Sequence, residues 1–252
     1  MRFAWLGSGS RGNAALVEAD GRCVMLDCGL GLKEAEARLA RLGKTAADLD
    51  VILVTHEHSD HIGGVARFAA RHGIPVRATV GTARGFRLRP PPALEYISCH
   101  EAFGCGGLEI TPLPVPHDAH EPCQFVFSDG AARLGIVTDL GYATAHVIAS
   151  LQACDAVALE CNHDAGMLAA GPYPARLRRR VGGDLGHLSN AQAAELLASL
   201  DTTRLRHVVA LHLSEINNTP DLARTALATV LGCAPREVAI AEQRAGLGWR
   251  DI

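Results

Sequence analysis

The residues best placed to do chemistry lie in Thr55-His56-Glu57-His58-Ser59-Asp60-His61. An apolar run, residues 51–55, leads directly into them. On extended backbone, residues i and i+2 point to the same side, so His56 and His58 can converge on one ion. Asp60 and His61 follow once the chain has turned, and can face a second ion nearby. Ser59 is small and Gly63-Gly64 come next, which eases a tight turn into a helix. Imidazole and carboxylate together suit Zn²⁺ and Mn²⁺, and also Fe. Two such ions held close together bind and deprotonate a bridging water and polarise the bond it attacks. The expected chemistry is therefore metal-dependent hydrolysis. A count of 12 His against 4% aromatic residues points the same way.

The elements that must position this cluster follow from hydrophobic patterning. Residues 3–6, 14–18 and 23–27 read as short strands separated by Gly-rich turns. Residues 32–42 read as an amphipathic helix, with Leu32, Ala35, Leu39 and Leu42 at helical spacing. Residues 51–55 form a strand, 62–72 a helix and 75–80 another strand. Residues 87–92 are a breaker stretch. The second half repeats the alternation, with strands over 108–115, 123–128, 132–138, 156–160, 208–213 and 237–241. Helices are expected over 145–152, 190–200 and 221–231, with Ser189 or Asn190 placed to cap the second. Strands in runs, with helices between and after them, suit an α/β (α+β) αββα sandwich of two mixed sheets with helices outside. A single domain over 1–252 is the simplest division, with no repeat of fixed period.

Bulk properties exclude several classes. The chain has 252 residues, 48% of them hydrophobic and 20% charged, which is ordinary globular composition. A net charge of −3 is no polycation, so any nucleic-acid contact must come from a local basic patch. The N-terminus turns glycine-rich at once and carries no apolar run suited to a signal peptide or membrane anchor. The eight Cys form no C-x-x-C pair, and Cys23, Cys28, Cys154 and Cys161 sit in apolar runs as small hydrophobes. A reducing, cytoplasmic location is the default. His72, His100, His146 and His207 read as surface residues.

A His-x-His-x-Asp-His segment after an apolar strand resembles the hallmark of the metallo-β-lactamase superfamily. That resemblance implies further positions, each at a strand end. Asp27 in Leu26-Asp27-Cys28-Gly29 would orient the ligand loop. His117 in Pro116-His117-Asp118-Ala119 would complete the first site, with His120 a nearby competitor. Asp139 would bridge, and His212 would complete the second site. The implied ligands are thus His56, His58 and His117 on one ion, Asp60, His61 and His212 on the other, and Asp139 between them.

An ordered set of motifs is more specific. It comprises Gly7-Ser8-Gly9-Ser10-Arg11-Gly12-Asn13, Glu160-Cys161-Asn162-His163-Asp164, Gly186-His187-Leu188-Ser189-Asn190 and Leu213-Ser214-Glu215-Ile216-Asn217-Asn218. Together these resemble the YycJ (WalJ) family, bacterial proteins regarded as exonucleases of this fold. The resemblance implies a DNA substrate degraded in the 5′–3′ direction. Glu160 and His187 also match positions of ribonuclease J, which makes His187 a candidate general acid for the leaving oxygen; a histidine suits that work near neutral pH. The β-CASP domain inserted between these positions in ribonuclease J is missing, because residues 161–186 are too few to hold it. Asp60, Glu160 and His187 are the candidate catalytic residues. Arg176, Arg178, Arg179 and Arg180 form the densest charge cluster. They fit either bidentate phosphate contacts, chiefly from Arg178 and Arg179, or a solvated helix face. Ser8, Ser10, Asn13 and Asn217 are further candidate phosphate contacts, and a plain glycine-rich hairpin fits the first three equally.

Three readings compete. A nucleic-acid phosphodiesterase would use His187. A small-molecule hydrolase, such as a glyoxalase-II-like thioesterase or a lactonase, would use the same ions without it. A metal-containing regulatory protein with little turnover is opposed by the complete ligand set.

Overall fold

The computed structural model describes residues 1–86 and 90–252. Six strands run in chain order across one sheet: β1 (Arg2–Gly7), β2 (Ala14–Ala19), β3 (Arg22–Leu26), β4 (Val51–Leu53), β5 (Val76–Ala78) and β6 (Leu94–Tyr96). The second sheet does the same with β7 (Phe103–Cys105), β8 (Leu108–Pro114), β9 (Cys123–Ser128), β10 (Arg133–Val137), β11 (Ala156–Glu160), β12 (His207–Leu211) and β13 (Ala239–Ile240). A last strand, β14 (Leu247–Asp251), returns to the first sheet and pairs antiparallel with β1.

Both sheets begin antiparallel and continue parallel. In the first, β1 to β3 are antiparallel neighbours and β3 to β6 are parallel. In the second, β7 to β10 are antiparallel and β10 to β13 are parallel. Parallel neighbours need crossover connections, and helices supply them. Around the first sheet these are α1 (Leu32–Arg41), α2 (Ser59–Ile62), α3 (Val65–His72) and α4 (Val80–Ala83). Around the second they are α5 (Ala145–Leu151), α6 (Ala165–Ala170), α7 (Ala175–Val181), α8 (Asn190–Ala198) and α9 (Pro220–Leu231).

Alternation along the strands sorts side chains into three apolar layers. Phe3, Val17, Val24, Leu26 and Leu53 meet Phe125, Phe127, Leu134, Ile136 and Val209 between the sheets. Leu16, Met25, Ile52 and Val54 face outward and pack under α1 and α3 through Ala35, Leu39 and Phe68. Val137, Val157, Leu159 and Ala210 pack under α8 and α9 through Leu196, Leu197 and Leu227. Residues 51–54 are apolar throughout because β4 is covered on both faces. The expected αββα sandwich of two mixed sheets is what forms. Cys23, Cys28, Cys154 and Cys161 are buried in the two outer layers.

Some local expectations change. The helix expected over 62–72 is two helices, α2 and α3, broken at Gly63-Gly64. A Cβ on Gly64 would stand 1.9 Å from the Leu30 carbonyl oxygen, and the Gly64 N–H donates to Cys28 O. The backbone there is pressed against the loop after β3, which a continuous helix would not allow. Strands β6, β7 and β14 and helices α4, α6 and α7 add to the expected set. They are short and partly exposed, so they carry little hydrophobic period. Residues 87–89 of the breaker stretch lie outside the described residues. Ser189 is the residue that caps α8; its hydroxyl accepts from Gln192 N at 3.2 Å. Among the described residues no helix is long and apolar enough to cross a membrane.

Candidate metal centre

Four strand ends deliver the cluster. Asp27 follows β3, His56 follows β4, Asp139 follows β10 and His212 follows β12. Asp27, Asp139 and His212 have φ values of 59°, 52° and 55°. Non-glycine residues in this left-handed region cost energy and persist where the surroundings hold them. Here each turns its side chain inward across the open end of the sandwich. Asp27 and Asp139 are equivalent in the two sheets: each follows the strand at which antiparallel pairing gives way to parallel.

The tautomers follow from hydrogen bonds on the outward nitrogens. His117 Nδ1 donates to Gly186 O at 3.0 Å, and His58 Nε2 donates to Asp118 O at 3.2 Å. His56 Nδ1 lies 3.0 Å from Thr55 Oγ1. This leaves His56 Nε2, His58 Nδ1 and His117 Nε2 facing one another. The last two are 3.2 Å apart, and among the described residues the buried His56 Nε2 has no hydrogen-bond partner. Three inward imidazole lone pairs, one buried without a partner, form a donor set that fits a divalent cation. Burial keeps the pKa of His56 well below the ordinary histidine value, and that of His117 below it, so both stay neutral.

A second group adjoins the first. His61 Nδ1 donates to Asp27 Oδ2 at 2.7 Å, which turns Nε2 inward. That Nε2 lies 3.0 Å from Asp139 Oδ2 and 3.5 Å from Asp60 Oδ2, and His212 Nε2 lies 3.8 Å from Asp60 Oδ2. Asp60, His61 and His212 group closely enough to hold an ion, as do His56, His58 and His117. Asp139 sits between the groups, with Oδ2 toward His61 and Oδ1 3.9 Å from His117 Nε2. Burial opposes the charged form of His61, but the adjacent Asp139 and Asp27 outweigh it and hold its pKa well above the ordinary value. Burial likewise opposes the Asp139 carboxylate, and His212 and His61 nonetheless keep it ionised. The His/Asp cluster is thus arranged to bind divalent metal.

The structure also separates His117 from its competitor. His120 is 49% exposed and pairs with Glu57, outside the cluster. Glu160 and His187 come together beside Asp139. The buried Glu160 accepts from His187 Nδ1 at 2.8 Å through Oε1, and from the Leu140 and Leu188 N–H groups at 3.0 Å through Oε2. Both Glu160 oxygens are thereby engaged by these partners. Burial pushes the His187 imidazolium pKa down, and the Glu160 carboxylate pushes it up further, to about 9.

Three of the candidate phosphate contacts are buried. Ser8 is 2% exposed, and its hydroxyl accepts from His212 N at 2.8 Å. Asn13 is buried, with Nδ2 3.0 Å from His61 Nε2 and 3.3 Å from Asp60 Oδ2. Asn217 is 1% exposed, its backbone oxygen accepts from Asp164 N at the start of α6, and among the described residues both its side-chain polar atoms are unpartnered. Ser10 and Arg179 are exposed, and Arg178 donates to Ala169 O. His72 and His207 are partly buried rather than fully exposed, paired with Glu36 and with Asp251 O, whereas His100 and His146 lie on the surface.

Sequence reading assigned no role to Thr55 and Thr138. Thr55 Oγ1 donates to Asp27 at 2.8 Å, and Thr138 Oγ1 donates to Asp139 at 2.7 Å. The readable signal was a threonine directly preceding a ligand at two strand ends.

The sequence model of the family described as "Beta-lactamase superfamily domain" matches residues 22–212. "Exodeoxyribonuclease YycJ" of Bacillus anthracis is 34% identical over 235 residues, covering 92% of this chain and 89% of the relative. "Exodeoxyribonuclease WalJ" of Streptococcus pneumoniae is 31% identical over 246 residues, covering 95% and 91%. Among solved structures, the metallo-beta-lactamase fold protein YhfI from Bacillus subtilis superposes with a TM-score of 0.75 at 18% identity, covering 96% of this chain and 97% of that one. Zn(2+)-bound PqqB from Methylobacterium extorquens gives 0.73 at 19% identity, with both chains covered in full.

Proposed function

The chain belongs to the β-lactamase superfamily, among the relatives of YycJ and WalJ, as a metal-dependent hydrolase by fold, and from that premise we propose that it is a DNA exonuclease working in the 5′–3′ direction with two divalent ions, Zn or Mn. His56, His58 and His117 hold one ion, Asp60, His61 and His212 hold the other, and Asp139 lies between them. The names of the curated relatives support the substrate. The whole of 1–252 acts as one domain without a β-CASP insertion, since only α6 and α7 lie between β11 and α8. Unbridged cysteines support a cytoplasmic setting.

The observation that carries the reading is the His187–Glu160 pair facing Asp139, 3.5 Å from His187 Nδ1. Ions at the centre would supply an activated water and a polarised phosphorus–oxygen bond. The protein supplies the rest. Asp27 fixes His61, Ser8 and Thr138 fix His212 and Asp139, and Asn13 spans Asp60 and His61. Glu160 keeps His187 protonated, so that its imidazolium can give a proton to the departing alkoxide oxygen of a phosphodiester. A thioester or lactone hydrolase has less need of such an acid.

The test is end-labelled single-stranded and duplex DNA and RNA, incubated with Mn²⁺- or Zn²⁺-loaded protein. Release of mononucleotides from the 5′ end is expected, with loss of activity in Asp60→Ala. Untouched nucleic acid in every condition would sink the reading.

A further inference from the structure

The mouth of the centre carries a second constellation. Residues 180–187 form a strap whose two ends are chemically distinct: Arg180 at one and His187 at the other. The strap is pinned at several points. His187 N–H donates to Val181 O and Gly186 N–H to Gly183 O, both at 2.8 Å. Gly186 O holds His117, and Leu185 O accepts from Asp118 N at 3.1 Å. Gly141 is packed so tightly on the strap that a Cβ there would lie 2.0 Å from Asp184 O.

Arg180 turns to the centre through Asp118. Its Nε donates to Asp118 Oδ2 at 2.5 Å, while Asp118 Oδ1 lies 3.5 Å from His117 Nε2 and 3.6 Å from His58 Nε2. Asp118 thus holds the guanidinium beside the first ligand group through Nε alone. Among the described residues the two terminal amino groups have no partner, and the side chain is 54% exposed. A guanidinium held by one nitrogen with its fork free is prepared for a bidentate contact with two phosphate oxygens.

The backbone of Gly141 meets the strap at Asp184 and Leu185, so the residue after it borders the same seam. Tyr142, next to Gly141, is 47% exposed, and Leu185, on the strap, is 54% exposed. A free guanidinium and an open aromatic face together complement a phosphate joined to a base.

We propose that this rim is a nucleotide subsite: Arg180 grips a phosphate of the strand, and Tyr142, with Leu185 beside it, carries the neighbouring base. The proposal rests on the nucleolytic reading above and names how that site recognises its strand. Its occupant is a single-stranded end, because a base can stack on a protein ring only when its own stack is open.

The experiment measures kcat, KM and the salt dependence of KM on a single-stranded oligothymidylate. A matched oligonucleotide with an abasic terminal residue is run in parallel. Arg180→Ala is expected to raise KM about tenfold on both and to flatten the logarithmic salt slope by about 0.7, the share of one phosphate contact on a single strand. Arg180→Lys recovers part of both. Tyr142→Ala raises KM about tenfold on the normal strand and removes the wild-type preference for it over the abasic one, as loss of one base–aromatic stack would; Tyr142→Phe restores that preference. Arg236→Ala, exposed in the turn before β13, is the charge-matched control and leaves KM unchanged.

Wild-type KM and salt slope in both alanine variants, with an active parent enzyme, would overturn the subsite alone. So would a loss confined to kcat and metal content, which is the signature of a strap that only supports His117 and His187. A parent protein that cleaves no nucleic acid would instead overturn the nucleolytic reading, and the subsite with it.

Discussion

Replacing Asp27 by Asn keeps the shape of the side chain and reverses one hydrogen bond. Asp27 Oδ1 accepts from Thr55 N at 2.8 Å, and Oδ2 accepts from Thr55 Oγ1 at 2.8 Å and from His61 Nδ1 at 2.7 Å. In the Asn variant the amide oxygen must stay opposite the Thr55 N–H, which has no freedom to turn. The NH₂ group then faces His61 Nδ1, which can only accept from it once the ring is neutral, as a metal ligand must be. The imidazole proton moves to Nε2, the nitrogen that points at Asp60 and Asp139. Asn tolerates the left-handed backbone at φ 59°, so strain adds little. Two hydrogen bonds to a charged acceptor are weakened, worth about 1–3 kcal/mol in all after Thr55 reorients. For a chain of this length that lowers Tm by roughly 3–10 °C. Metal binding suffers more specifically: losing the orienting partner of a ligand histidine typically costs about 10–100-fold in affinity. Calorimetric titration with Zn²⁺ or Mn²⁺, alongside circular dichroism to confirm the fold, reads both effects. A folded Asp27→Asn protein that binds metal with parental affinity and stoichiometry would refute the argument that Asp27 sets the tautomer of His61.

Three further outcomes are expected. In metal-free protein, proton NMR should show His187 titrating near the value of about 9 that Glu160 imposes, so the imidazolium persists through neutral pH and is lost as pH rises through that point; Glu160→Gln should lower it by at least about one unit, and an unchanged titration would break the link between the two. Gly29→Ala would set a Cβ 1.8 Å from Asp60 O, where Asn13 N–H also docks at 2.7 Å; a loss of about 1–3 kcal/mol with reduced metal content is expected, and a Tm equal to the parent's would contradict the packing. Chelation of purified holoprotein should lower Tm by roughly 5–10 °C, since an ion present at about a hundred times its Kd contributes about 2.7 kcal/mol; a chelator-insensitive Tm would count against a resident metal.

How much of this could be read in the chain follows from how far each feature reaches along it. His56 and His58 share a direction because extended backbone has a period of two, and the apolar run before them is buried on both faces whatever lies above it. The layers followed from patterning for the same reason, and the short, partly exposed strands β6, β7 and β14 did not, because they carry too few buried residues to show a period. The choice between His117 and His120 had no local signal: the same residue type stands three positions apart. Gly186 O holds one, and Glu57 draws the other outward. Arg180 was one arginine in a run until Asp118, 62 positions away, turned it to the centre. Ser8 read as part of a glycine-rich hairpin, and it became a support for His212 across 204 positions. Sequence by itself determined which side chains could ligate and that strands would present them. Only the packing of the two sheets decided which of those groups meet, because hydrogen bonds between distant strand ends depend on the register and stacking of both sheets, and no local spacing encodes that.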